Sequence, residues 1–125
     1  MGKQYRTLAS PEFFDAVEAH ARAVATGDAS AGSSVSERAF EAHEAALVRI
    51  SSIRPLRGYA VIARARLGQH YIVKVRFDGA GGESVTLQNR WHKEDSGRWR
   101  IVEVEDIGIR PPWVKPEKPT VIANA

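Results

Sequence analysis

Between Tyr59 and Glu105 the chain alternates apolar and polar residues in four runs, broken by three short turns that each carry glycine. The runs are Tyr59–Arg66, His70–Phe77, Glu83–Lys93 and Arg98–Glu105. The turns are Leu67-Gly68-Gln69, Asp78-Gly79-Ala80-Gly81-Gly82 and Glu94-Asp95-Ser96-Gly97. A period of two is the signature of a half-buried strand, and glycine supplies the positive φ that tight hairpin loops use. These residues predict a four-strand antiparallel meander. Helical patterns precede it and none follows, so its apolar face has to be covered from the N-terminal side.

Ser10-Pro11-Glu12 reads as a helix start, with a capping hydroxyl, a proline suited to the first turn and a carboxylate at the positive end of the dipole. Phe13, Val17, His20 and Val24 then fall on one stripe, and Gly27 closes the helix. Ser34 and Glu37 have capping-box spacing, which predicts a second helix running to about Ser51 with Phe40, His43, Leu47 and Ile50 on its inner stripe. Arg54-Pro55 ends that segment. Beyond Ile107 come Pro111, Pro112, Pro116 and Pro119, so one domain is expected over 10–107 and an extended, proline-rich tail over 108–125, with Ile109, Trp113 and Val114 available to pin it.

The hairpins set the faces. A three-residue first loop and a five-residue second loop pair Tyr59 with Phe77, Val61 with Val75 and Ala63 with Val73. They then pair Val75 with Val85, Val73 with Leu87 and Tyr71 with Asn89. All but Asn89 are apolar or aromatic, which favours this register because a one-residue slip reverses every side chain. The opposite face collects Arg64, Arg66, His70, Lys74, Arg76, Gln88, Arg90 and His92, with Ile62 and Ile72 among them. In the last hairpin Trp91 and Trp99 share a face with a three-residue loop and oppose each other with a four-residue one. Both remain open.

At 125 residues the chain has room for one ordinary domain, and 43% hydrophobic with 26% charged residues is a globular composition. The absence of cysteine removes disulfides, thiolate metal sites and thiol catalysis. No apolar run approaches the ~20 residues of a membrane span, and Met1–Arg6 has no apolar stretch of a secretory signal, so a cytoplasmic protein is expected. A net charge of +3 permits anionic partners without requiring them.

Thr26-Gly27-Asp28 at the end of an amphipathic helix, the late meander, and Val85–Lys93 followed by Gly97–Val102 together give the chain a likeness to a family. It resembles the nuclear transport factor 2-like superfamily, the cystatin-like roll related to ketosteroid isomerases. The resemblance spans roughly 10–107. It implies a cone-like α+β roll, in which two N-terminal helices pack on a curved antiparallel sheet around a central cavity, and a homodimer formed through the sheet. The isomerases draw a catalytic aspartate from the region between the early helices and the meander. Here Ala29–Gly58 holds no aspartate, only Glu37, Glu41 and Glu44.

Polar residues on the predicted inner faces are the candidate site. His20 and His43 stand on helical stripes where aliphatic residues are ordinary, and a histidine there can move protons near neutral pH. The plainer reading is a core histidine bonded to a backbone carbonyl. Tyr71 and Asn89 are inner-face neighbours, Tyr59 shares that face, and a buried amide needs partners. His20, His43, Tyr59, Tyr71 and Asn89 are therefore the predicted ligand-binding set, for a small apolar or amphipathic molecule. The alternatives are a cofactor-independent acid–base enzyme of isomerase, dehydratase or cyclase type, and a dimeric protein-interaction module. Glu103, Glu105 and Asp106 read as surface partners of arginines, and under the other parity of the last hairpin Glu103 enters the cavity as a candidate base. No metal site, cofactor or phosphate loop is expected, and the cationic face lacks the stacking aromatics of a nucleic-acid binder.

Overall fold

The structure, a computed structural model, describes residues 11–107. Helix α1 spans Pro11–Thr26, a 3-10 segment spans Ala29–Ser34, a single 3-10 turn spans Glu37–Ala39, and helix α2 spans Phe40–Ser51. Strands β1 (Leu56–Leu67), β2 (His70–Gly79), β3 (Ser84–Lys93) and β4 (Trp99–Asp106) follow, in the sheet order β1-β2-β3-β4 with every pair antiparallel. The architecture is α+β, as the sequence predicts. The Ser10 cap, the proline-rich tail and its Ile109, Trp113 and Val114 lie outside the described residues. Among the described residues no helix is long and apolar enough to cross a membrane.

The inner face is built by strict alternation. Val73, Val75, Phe77, Val85, Leu87 and Trp91 are buried, and Lys74, Arg76, Thr86, Gln88 and Arg90 between them are half-exposed. Helix α1 lays Phe13, Val17, His20, Ala21 and Val24 on this face, and α2 adds His43, Ala46 and Ile50. Phe13 is fully buried, with its ring 4.7 Å from Tyr71, 4.7 Å from Trp99 and 6.0 Å edge-on from Trp91. Each such pair contributes about 0.5–1.5 kcal/mol beyond area burial. Both tryptophans therefore face the helices, which decides the parity that the sequence leaves open.

Three details differ from expectation. Helix α2 begins at Phe40, because Val35 is extended: it forms a parallel bridge with Ile101, and Ser36 N–H donates to the Ile101 carbonyl at 2.9 Å. An extended residue cannot sit inside a helix, so the Ser34–Glu37 box does not form. The α2 stripe is accordingly His43, Ala46 and Ile50, with Phe40 52% exposed and Leu47 half-buried.

The second hairpin loop is Gly79–Glu83, closed by Gly79 N–H to the Glu83 carbonyl at 2.8 Å, one residue later than read from the sequence. That moves the register by two, so Val75 pairs with Leu87, Val73 with Asn89 and Tyr71 with Trp91. A shift of two leaves the faces intact.

The first loop is the two-residue Gly68-Gln69, with Gly68 at φ +61°, and a bulge between Val61 and Ala63 absorbs the difference. Tyr59–Phe77 and Val61–Val75 pair as expected, but beyond the bulge Arg64 opposes Val73 and Arg66 opposes Tyr71. A bulge reverses side-chain facing. Arg64 and Arg66 thus lie on the helix side, against the Phe14 ring at 4.8 Å and the Tyr71 ring at 6.0 Å. Ala63, Ala65 and Leu67 take the outer face in their place.

Where β2 ends, the backbone passes close to the chain that follows α2. A Cβ on Gly79 would stand 2.5 Å from the Ile53 carbonyl oxygen, and Ala80 N–H donates to the Pro55 carbonyl at 2.9 Å. Gly79→Ala should cost about 1–3 kcal/mol, read by urea denaturation. Gly32→Ala, whose Cβ meets nothing within 4 Å, is the control and should fall within about 0.5 kcal/mol of the parent.

Candidate functional site

The predicted site residues divide into three places. His20 from α1 and His43 from α2 meet in the interior, Nε2 to Nε2 at 3.0 Å, with their rings 5.2 Å apart. The His20 ring stands edge-on to Trp91 at 5.9 Å. Asn89 is buried on β3, on the same face as Trp91 and two residues before it. Tyr71 belongs to the aromatic cluster around Phe13. Tyr59 is at the periphery: its hydroxyl donates to the Glu18 carboxylate, which also accepts from Arg22 at 3.2 Å. That carboxylate pushes the Tyr59 hydroxyl above its ordinary pKa, with burial adding to the effect.

A single hydrogen bond between two imidazoles requires one protonated and one bare Nε2. Desolvation in the core drives His20 down to about 3, with the neighbouring His43 adding to it, and desolvation lowers His43 too, although Glu44 opposes it. The pair is neutral at pH 7. If His20 donates, the His43 hydrogen sits on Nδ1 as a donor; if His43 donates, its Nδ1 is an acceptor. In both tautomers the buried Nδ1 of His43 has no partner among the described residues, and Asn89 Oδ1 and Trp91 Nε1 are in the same condition. Each such atom costs about 1–3 kcal/mol relative to a satisfied one. The plainer histidine reading is corrected in its partner, which is the other histidine and not a backbone carbonyl. Chemically the pair can pass a proton between its own rings. With His20 3% and His43 0% exposed, it offers no ring nitrogen to a reactant.

Open space lies elsewhere. A cleft of about 620 Å³ runs between the end of α1, the 3-10 segment and the flank of α2. Val24, Ala31 and Leu47 form its apolar floor, Phe40 stands at its rim, and Asp28, Glu44 and Arg54 supply its charge. A shallower groove of about 320 Å³ lies between Arg38, Ala42 and β4. None of His20, His43, Tyr59, Tyr71 and Asn89 lines either one. Val73, Val75 and Leu87, on the inner sheet face that the expected central cavity would adjoin, belong to the packed core cluster.

Local chemistry explains the cleft. Helix α1 ends at Gly27, φ +75°, with Asp28 N–H donating to the Ala23 carbonyl at 2.8 Å. The Asp28 carboxylate then accepts from Ser30 N–H at 2.9 Å and starts the 3-10 segment, and that bond holds the carboxyl below the usual carboxylate range. Arg54 reaches back to the Val24 and Ala25 carbonyls at 2.8 and 2.9 Å, satisfying acceptors that a helix C-terminus leaves open. The sequence carries one signal for this site: Phe40 and Leu47 stand on the predicted apolar stripe, and the structure places both on the flank of α2 that lines the cleft.

On the outer face Glu103 pairs with Arg90 at 2.9 Å and with Arg38 at 3.4 Å, as a surface carboxylate. Arg76 pairs with Asp78 at 2.8 Å and Arg100 with Glu94 at 3.1 Å, so much of the cationic face is neutralised within the chain. His70 and His92 are cross-strand neighbours with rings 5.1 Å apart. Among the described residues no group of three or more histidine, aspartate or glutamate side chains could hold a metal ion. Compared with family models, curated proteins and solved structures, the chain matches none of the three.

The histidine pair makes stability depend on pH. Below 6.5 the unfolded chain protonates His20 while the folded chain holds it neutral down to about 3. The unfolded state therefore binds more protons, and stability falls by roughly 1.4 kcal/mol per pH unit from this residue across that window. The double variant His20→Leu/His43→Leu should be at least as stable as the parent at pH 7 and should lose most of the slope between pH 6 and 4. His20→Leu alone strands the His43 Nε2 and should cost about 1–3 kcal/mol. Denaturant titrations at stepped pH check all three.

Proposed function

We propose that this chain is a small-molecule-binding domain whose ligand lies in the cleft between α1, the 3-10 segment and α2. One observation carries the reading: the cleft's volume of about 620 Å³ is that of a drug-sized ligand site, and an apolar floor with a few placed polar groups is how such sites are made. This moves the expected site from the helix–sheet interface to the seam between the helices. The order of two helices and a four-strand meander supports kinship with the nuclear transport factor 2-like roll, and that kinship is part of the same proposal.

A second reading has its own observation. The outer face of β1 and β2 carries Ala63, Ala65, Leu67 and Ile72 in a row, and Leu67 is 55% exposed. Unpaired apolar stripes of this kind mark contact surfaces. A homodimer formed across this face would bury it, and sedimentation of the parent against Ile72→Lys/Leu67→Lys reads the difference.

The cleft reading is tested with the neutral fluorophore N-phenyl-1-naphthylamine. The parent should bind it saturably, one to one, and Ala29→Trp, which places an indole at the mouth, should weaken binding at least tenfold with the circular dichroism unchanged. Equal binding by parent and variant, or no saturable binding, overturns the reading.

A further inference from the structure

The cleft is electronegative, and this fixes the class of molecule that suits it. Two carboxylates line it, Asp28 and Glu44, against one guanidinium, Arg54. That guanidinium is already committed to the Val24 and Ala25 carbonyls. Helix α1 brings its C-terminal end to the cleft through Ala23, Val24 and Gly27, whereas α2 lies along it from Phe40 at its N-terminus to Ser51 at its C-terminus, so the two ends of the α2 dipole offset each other there. A helix C-terminus carries about half a negative charge, and at α1 the Arg54 guanidinium is spent on it, which leaves the two carboxylates as the cleft's free charge.

Neither end has a cation of its own left over. Helix α1 has no basic residue in its last turn, and Arg49 in the last turn of α2 is held by Asp106 at 3.2 Å. Glu44 forms no hydrogen bond or ion pair with any described side chain. The half-exposed Phe40 ring at the rim presents a π-face, whose quadrupole attracts cations.

Resting on the cleft reading above, we propose that the ligand is an amphiphilic cation: an organic ammonium whose apolar body lies on Val24, Ala31 and Leu47 and whose charged head meets Glu44 and Asp28. A neutral molecule of the same shape would gain the apolar contact alone. An anion would meet two carboxylates, with the one guanidinium already engaged by backbone carbonyls.

The test is displacement of N-phenyl-1-naphthylamine by decyltrimethylammonium, decanol and decyl sulfate, each below its micellar concentration, in low salt. The ammonium should displace the probe at a concentration at least tenfold below decanol, and decyl sulfate should be the weakest of the three. Asp28→Asn/Glu44→Gln should bring the ammonium to the level of decanol and leave decanol unchanged. Asparagine is an equally good cap for the 3-10 segment, so this variant keeps the fold. Salt at 0.5 M should shrink the preference in the parent, because the charges are solvent-accessible. If the ammonium and decanol compete equally in the parent, or the preference survives in the double variant, the charge assignment is wrong and the cleft reading stands. If no amphiphile displaces the probe and Ala29→Trp leaves probe binding unaltered, the cleft reading itself falls.

Discussion

Everything in this molecule is hung on the dry side of one sheet. Phe13, the third residue of α1, is wedged against Tyr71, Trp91 and Trp99 from three strands, so one side chain ties the first helix to the whole width of β2–β4. Val73, Leu87 and Ile101 complete the surface around it. Once α1 is seated there, α2 must lie beside it to cover the rest. The seam left between the helices, where Ala29–Ser34 bends outward, is the cleft. The binding site proposed here is thus a by-product of how two helices share a four-strand platform. A change at Phe13 would act on it at a distance.

The histidine pair has a different standing. Imidazoles that meet in the core, one of them with a buried nitrogen that has no partner among the described residues, add no stability that leucines would not supply. What such a polar contact provides is registration: His20 and His43 satisfy each other only when α1 and α2 stand at one relative position along their axes. Polar core contacts that specify one arrangement at some cost in stability are the best-attested use of buried polar groups. On that view the pair keeps the two walls of the cleft in place, and its inertness at neutral pH is part of the role.

Much of the fold was readable because the meander announces itself twice, by alternation and by glycine. Strand identity, strand order, the inner face of β2 and β3 and the stripe of α1 follow from those signals alone. Three things were not readable, each for a local reason. The second loop moved by one residue because Gly79 fits under the Ile53 carbonyl, a close approach that no pattern in the chain displays. Arg64 and Arg66 changed sides because a two-residue turn needs a bulge to rejoin the register, and a bulge leaves no mark on an alternating sequence. Helix α2 started late because Val35 found a partner more than sixty residues away in Ile101. Of the candidate site, His20, His43 and Asn89 were rightly placed in the interior, but interior proved to mean packed. The residues around open space were hidden as a helix terminus, a capping aspartate and two members of an apolar stripe.

An open sheet has two margins, and each is a template on which another chain can add itself. Here the margins are guarded by different means. At β4, Val35 and Ser36 lie along the strand beside Ile101 and occupy the outward carbonyl there, so a stranger approaching that margin finds it partly taken. At β1 no other strand pairs among the described residues; the same kink that turned two arginines inward also spoils the straightness an incoming strand needs, and it leaves two guanidinium groups next to the opening. A kink adopted to close a tight turn thereby also makes that margin a poorer template for a second copy.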